Sequence, residues 1–248
     1  IMEKYIIEGG RPLFGEVEIQ SAKNAVLPLL AAAVLTEERV VIHKCPRIAD
    51  VLNMVGILGE LGCNTKFDGN DLVIDSADAA NHEIPSSLAK ELRSSVFMLG
   101  SVVSRFGRAR IAYPGGCDIG LRPIDLHLNG LRRLGVCVSE GGGYIDCSCG
   151  KIEGAEVVLD FPSVGATENI ILAAAKAKGT TLIRNAAKEP EIVDLQNFIN
   201  RMGGKIRGAG TATVRIDGVR KLSGTEYTPV SDRIEAGTFL IASAMCGG

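Results

Sequence analysis

Cys117 is the residue in this 248-residue chain with the most unusual surroundings for a thiol. It stands between Gly116 and Asp118 in the stretch YPGGCDIGLRPIDLH, Tyr113 to His127. Most cysteines behave as small buried hydrophobes and sit in apolar runs. A thiol flanked by glycine and aspartate belongs instead to a loop, and Arg122 just downstream could lower its pKa. General acid, nucleophile and bystander are all open to it. No His/Asn pattern of a cysteine protease accompanies it, because His43, His82 and His127 fall in unrelated contexts. His127 reads as a packing or solvent-facing residue.

Three further groups of candidates precede apolar segments. Lys23 and Asn24 open QSAKNAVLPLL, where a lysine beside a helix N-terminus makes an anion site or is simply an exposed cap residue. Arg93 stands at the entry to SSVFML and could clamp a phosphate or carboxylate with two bonds. Ser163, Val164 and Gly165 precede the segment ATENIILAAA.

These entries occupy corresponding points of an internal repeat. Apolar AVLPLLAAAVL (25–35) leads into strand RVVIH, then Pro46, Asp50, an amphipathic helix and a strand pair. SVFMLGSVV (95–103) leads into RARIAY, Pro123, Asp125 and the same elements. NIILAAAKA (169–177) leads into TTLIRN, Pro190, Asp194 and the same again. The unit is helix–strand–helix–strand–strand. Its first helix is apolar nearly all round and must be buried, whereas its second is amphipathic. The predicted fold class is α/β (α+β), with three repeats enclosing buried central helices. If the units are related by pseudo-threefold symmetry, the three entries converge on a positively charged end suited to an anionic ligand.

The repeat also separates special residues from structural ones. The interval from strand isoleucine to proline runs Ile42–Pro46 and Ile183–Pro190 in two units but Ile111–Pro123 in the second. The extra residues, PGGCDIGL, put Cys117 on a loop the scaffold does not need, where binding and catalysis concentrate. Arg122 does not recur; Cys45 and Glu189 hold its place. Asp125 recurs as Asp50 and Asp194, which favours an N-cap over a purely ligand-binding role. A fourth apolar segment, EAGTFLIASAMCGG (235–248), ends the sequence before the strand that should follow. We therefore expect the chain to be a fragment of a longer protein, its unfinished helix exposing an apolar patch through which it self-associates.

Composition narrows the classes. Net charge is −2 with no basic run, which argues against nucleic acid, and no apolar run reaches membrane-spanning length. The seven cysteines are odd in number and lack zinc spacing, so reduced thiols in a cytoplasm are expected. Thiol-redox use of Cys147 and Cys149 would need a low-pKa thiol, but YIDCSCGK reads as a strand and its turn.

The segments SAKNAVLPLLAA, ELRSSVFMLG, PGGCDIGLRPIDLH, SVGATEN and AAKEPEIVDLQNF resemble the UDP-N-acetylglucosamine 1-carboxyvinyltransferases (enolpyruvyl transferases) along the whole chain. The related shikimate-pathway enolpyruvyl transferases share the fold but lack the cysteine loop. The resemblance implies an inside-out α/β barrel of two domains. Residues 22–230 would form one complete three-repeat domain; residues 1–21 and 231–248 would belong to the other. It implies transfer of the enolpyruvyl group of phosphoenolpyruvate to the 3-hydroxyl of UDP-N-acetylglucosamine with release of phosphate, through a tetrahedral ketal. This is the first committed step of peptidoglycan synthesis, and it needs no metal or organic cofactor.

By the same resemblance, Cys117 delivers the proton to the methylene carbon, can form a covalent adduct, and is the position the epoxide fosfomycin alkylates. Lys23 and Asn24 match phosphoenolpyruvate contacts, and Arg93 matches an anion-binding arginine. Arg122, Pro123, Ile124, Asp125 and Leu126 match a uridine-nucleotide strip, and Ser163, Val164 and Gly165 match a second nucleotide contact. Phe161 stands where some members carry a lysine, a departure that bears on one diphosphate contact. The family's general-base aspartate and several arginines would lie beyond residue 248, so this chain alone is expected to be inactive or nearly so. The competing reading is a non-catalytic module of the same fold that binds a nucleotide sugar or scaffolds a partner.

Overall fold

The computed structural model describes residues 4–115 and 123–247. Cys117 and Arg122 lie outside the described residues. Residues 4–19 carry no regular structure and are mostly exposed. Ser21 and Ser231 then form an isolated antiparallel bridge, extended by Ala22 N–H to Val230 C=O and Asp232 N–H to Gln20 C=O, both 2.8 Å.

The expected repeat is present. The first unit is α1 (Lys23–Ala33), β1 (Val40–Ile42), α2 (Ala49–Glu60), β2 (Asn64–Asp68) and β3 (Asp71–Asp75). A short strand β4 (Glu83–Ile84) and a one-turn helix α3 (Ser86–Ala89) lead to a 3-10 turn, Arg93–Val96. The second unit continues with α4 (Phe97–Phe106), β5 (Arg108–Ala112), α5 (Asp125–Arg133), β6 (Cys137–Gly141) and β7 (Tyr144–Ser148). After β8 (Glu156–Val158) come α6 (Val164–Ala174), β9 (Thr180–Arg184), α7 (Pro190–Arg201), β10 (Ile206–Arg207) and β11 (Thr213–Asp217). Strand β12 (Thr225–Tyr227) and helix α8 (Arg233–Cys246) complete the described chain.

Among the described residues there are three four-stranded sheets with one plan: β12-β1-β3-β2, β4-β5-β7-β6 and β8-β9-β11-β10. In each, the unit's own three strands pair antiparallel, and a short parallel strand from the connection that follows another unit covers the first of them. Strand β12 joins β1 across the whole sequence, so the three units close into a ring. These short parallel strands of two or three residues are additions to the expected unit.

The first helix of each unit lies inside the ring. Residues Ala25–Ala33 of α1, Phe97–Val103 of α4 and Ala166–Ala174 of α6 are all buried. Burying each large apolar side chain contributes about 1.5–3 kcal/mol. Helices α4 and α6 cross closely at Gly100, where a Cβ would meet Asn169 C=O and Oδ1 at 2.4 Å. Asn169, itself buried, ties the crossing: its Oδ1 accepts from Gly100 N–H (2.8 Å) and its Nδ2 donates to Val96 C=O (3.2 Å). The amphipathic helices α2, α5 and α7 bury one face each, as expected.

The N-cap reading of the three recurring aspartates is corrected. The caps of α2, α5 and α7 are Ile48, Ile124 and Glu189, none with a side-chain cap bond. Asp50 and Asp125 lie in the first turn, where a carboxylate favours the helix through its dipole. Asp194 is one turn further in and buried, accepting from Tyr227 Oη at 2.7 Å and Val230 N–H at 3.2 Å. It fastens α7 to the connection between β12 and α8.

Candidate active site

The entries of the three buried helices do converge. Asn24, Ser94, Phe97, Val164 and Gly165 line one cavity of about 220 Å³, together with Glu168, Glu189, Glu191 and Arg233. Beside it, Arg93, Pro123, Ile124 and Asp125 line a second cavity of about 310 Å³ with Tyr113, Leu128, Arg132 and Glu140. Arg93 is shared architecture: its Nη2 donates to Pro123 C=O at 3.5 Å, holding the 3-10 turn against the residues that precede α5.

The sequence-predicted residues divide by what their side chains do. Lys23 does not line the first cavity; its Nζ is 2.9 Å from Asp50 Oδ2, which links the start of α1 to the first turn of α2. Ser163 spends its hydroxyl as the N-cap of α6, accepting from Ala166 N–H at 3.3 Å. Ile124 is buried and Leu126 is half-buried against the core, so their side chains are packing residues, whereas Pro123 and Asp125 are exposed. Phe161 is exposed as well.

The expected positive end is also corrected for the first cavity. Among the described residues, its lining carries three carboxyls, Glu168, Glu189 and Glu191, against one cation, Arg233. Arg233 binds Glu191 through Nε (3.0 Å) and Nη2 (3.5 Å), and Glu191 is buried. Glu168 is 1% exposed, and its Oε1 has no hydrogen-bond partner. Burial first, then the charges of Glu191 and Glu189, pushes its pKa well above the usual carboxylate range. This shift favours the protonated carboxyl, the form that can donate a hydrogen bond.

His127 is buried, not solvent-facing. It stacks on Phe97 with ring centroids 6.5 Å apart, and its Nδ1 lies 3.2 Å from Asn169 Nδ2. Burial and the nearby Arg93 charge lower its pKa to about 4, so it packs as a neutral ring. In the second cavity, Glu140 accepts from Tyr113 Oη and from Arg132 Nη2 (3.0 Å), which holds its pKa low.

Glu168, Glu191 and Arg233 were not singled out from sequence. Glu168 lies four residues beyond Val164, on the same face one helical turn deeper. A carboxylate inside an otherwise apolar segment was the available signal.

The sequence profile of the EPSP synthase (3-phosphoshikimate 1-carboxyvinyltransferase) family matches residues 7–248. The chain belongs to this family. Its fold likeness is to enolpyruvyl transferases: the enolpyruvyl transferase NikO from Streptomyces tendae superposes with a TM-score of 0.83 at 25% identity, over 95% of this chain and 56% of that one. An EPSP synthase from Acinetobacter baumannii gives 0.74 at 17% identity over 95% and 54%, a likeness of fold alone. Among curated relatives, UDP-N-acetylglucosamine 1-carboxyvinyltransferase 2 of Caldanaerobacter subterraneus is 56% identical over 100% of this chain and 59% of its own length. UDP-N-acetylglucosamine 1-carboxyvinyltransferase 1 of Symbiobacterium thermophilum is 51% identical over 99% and 57%. The chain thus spans less than three-fifths of the length of these relatives. The enolpyruvyl-transferase fold expected from the motifs agrees with these family members. No helix among the described residues is long and apolar enough to cross a membrane.

Proposed function

We propose that this chain is the cysteine-bearing part of an enzyme that transfers the enolpyruvyl group of phosphoenolpyruvate to the 3-hydroxyl of UDP-N-acetylglucosamine, in the cytoplasm. The observation that carries this is the meeting of three helix N-termini at Asn24, Ser94 and Gly165, beside Arg93, in a chain whose relatives bear that name. Helix N-termini present unpaired N–H groups and a partial positive charge, the requirement for holding a phosphate or carboxylate.

In this reading the sugar hydroxyl gives up its proton to a general base as its oxygen bonds to C2 of phosphoenolpyruvate and C3 gains a proton, giving the tetrahedral ketal. Elimination then breaks the C2–O bond to phosphate and removes a proton from C3, which restores the double bond. Cys117 supplies the proton to C3. Lys23, Asn24 and Arg93 hold the anionic substrate; Arg122 to Leu126 and Ser163 to Gly165 hold the nucleotide, with Ile124 and Leu126 contributing backbone rather than side chain. In the same reading residues 22–230 form the complete three-repeat domain and residues 1–21 and 231–248 belong to the other, a division supported by the Ser21–Ser231 bridge at the join.

The cavities described here form one wall of the site, and α8 offers an uncovered apolar face. The 248-residue chain by itself should therefore turn over little or nothing and should self-associate. Two measurements test the reading separately from turnover. Titration calorimetry should show UDP-N-acetylglucosamine binding that Arg93→Ala weakens at least tenfold. Mass spectrometry should show fosfomycin adding to the wild type and not to Cys117→Ser. Absence of both would sink the assignment and leave a scaffolding module as the better reading. Phosphate release that needs both substrates would instead overturn the expectation of inactivity.

A further inference from the structure

A third cavity lies at the opposite ends of the helices that build the candidate site. Phe97 and Val164, at the starts of α4 and α6, line the candidate cavity; Phe106 and Lys176, at or beyond their ends, line the other. A ten-residue helix separates the two by about 15 Å. This cavity, about 780 Å³, is strongly cationic: Arg105, Lys151, Lys176, Lys178 and Arg220 line it, with no acidic side chain among its lining residues. The whole chain, by contrast, carries a net charge of −2.

Two of the five cations have structural work. Arg105 donates to the carbonyls of Val34, Thr36 and Ser76 at 2.5–2.8 Å, and Lys176 reaches Leu35 C=O at 3.5 Å. Both thereby satisfy the end of α1 and its following turn, and Glu37 is their nearest acidic influence. Lys151, Lys178 and Arg220 are different. They come from three separate connections, all are exposed, and none holds a side-chain hydrogen bond or ion pair among the described residues. The helix C-termini at this end contribute only about half a negative charge each, far less than the five cations.

One further feature points to the ligand. The wall beside the cations is apolar and partly aromatic, with Val103, Phe106 and Ile152. A cavity of small-molecule size with an apolar wall and a cationic rim matches a flat ring bearing a chain of phosphates.

We propose that this cavity is a binding site for a nucleoside polyphosphate, distinct from the candidate active site and independent of the reaction assigned there. Lys151, Lys178 and Arg220 engage the phosphates. Titration calorimetry of the 248-residue chain with ATP, tripolyphosphate and sulfate at matched ionic strength tests it. ATP should bind saturably, tighter than tripolyphosphate, and weaken as salt rises. The triple variant K151E/K178E/R220E should lose at least tenfold in affinity with an unchanged melting temperature. Arg93→Ala should leave the binding intact. Heat no larger than sulfate's, or binding unchanged in the triple variant, would overturn the site. Binding lost in Arg93→Ala would place the nucleotide in the candidate active site instead. Equal affinity for tripolyphosphate and ATP would overturn the nucleoside part of the assignment.

Discussion

Helices α6 and α8 are corresponding elements of the repeat with opposite fates. Both are apolar, and both carry a side-chain N-cap: Ser163 accepts from Ala166 N–H, and Asp232 accepts from Ile234 and Glu235 N–H. Nine consecutive residues of α6 are buried, while α8 buries none. Leu240 of α8 is 71% exposed and Met245 81%, whereas Ile170 and Ile171 of α6 are 0% exposed. The caps and the helical propensity of the two segments are comparable, so local sequence accounts for both helices. What differs is the sheet and the neighbouring helices that cover α6. The same kind of segment is therefore a source of stability in one place and a sticky surface in the other.

The largest test of this contrast is truncation. Ile171→Ala should destabilise the chain by about 2–5 kcal/mol, because it removes buried surface and leaves a cavity. Leu240→Ala should change stability by no more than about 0.5 kcal/mol. Its effect should appear in light scattering, where Leu240→Glu reduces the self-association proposed above. Equal losses of stability from Ile171→Ala and Leu240→Ala in urea melts would mean that α8 is covered in solution and would break the comparison.

A smaller effect comes from pH, because the buried helix system holds ionisable groups that α8 does not. His127 falls to about 4 in the folded chain, below an unfolded value near 6.5. The unfolded chain therefore binds more protons between those values, and stability should be lost as pH falls from about 6.5 toward 4. At about 1.36 kcal/mol per unit, the loss is on the order of 3 kcal/mol. Glu168 acts in the other direction: its folded pKa is raised, so stability falls as pH climbs above the ordinary value of 4.5. Glu168→Gln should thus melt higher than wild type at pH 7–8, with the gap closing toward pH 4.5. A gap that does not vary with pH would mean that Glu168 is ionised in the folded chain and paired with a group in solution.

Much of this architecture was legible from residue order. Three all-apolar segments, each followed by a strand and an amphipathic helix, specify buried helices inside a ring because no other arrangement covers them. The convergence of Asn24, Ser94 and Gly165 followed from that symmetry. The short strands β4, β8 and β12 were not legible: two or three residues carry no alternation, and their pairing is set by where the neighbouring unit ends. The aspartates Asp50, Asp125 and Asp194 misled because recurrence was read as capping, although position within the first turns differs between units. Glu168 and Arg233 entered the site through the third dimension, across elements 65 residues apart in sequence. Cys117, the most telling residue in the sequence, lies outside the described residues.

The smallest test concerns the glycines of the two helix systems. Gly100 sits where α4 meets α6, and any side chain there would strike the Asn169 backbone. Gly237 in α8 has nothing within 4 Å of a built Cβ. Gly237 is helical with its methyl position open, so Gly237→Ala should only reduce the freedom of the unfolded chain and improve helix propensity. The gain should be about 0.5–1 kcal/mol, read as a raised urea midpoint with unchanged slope. A loss of stability at Gly237→Ala would mean that a close neighbour covers this face of α8 in solution, as Asn169 covers Gly100, and would assign α8 to the same class of buried helix as α6.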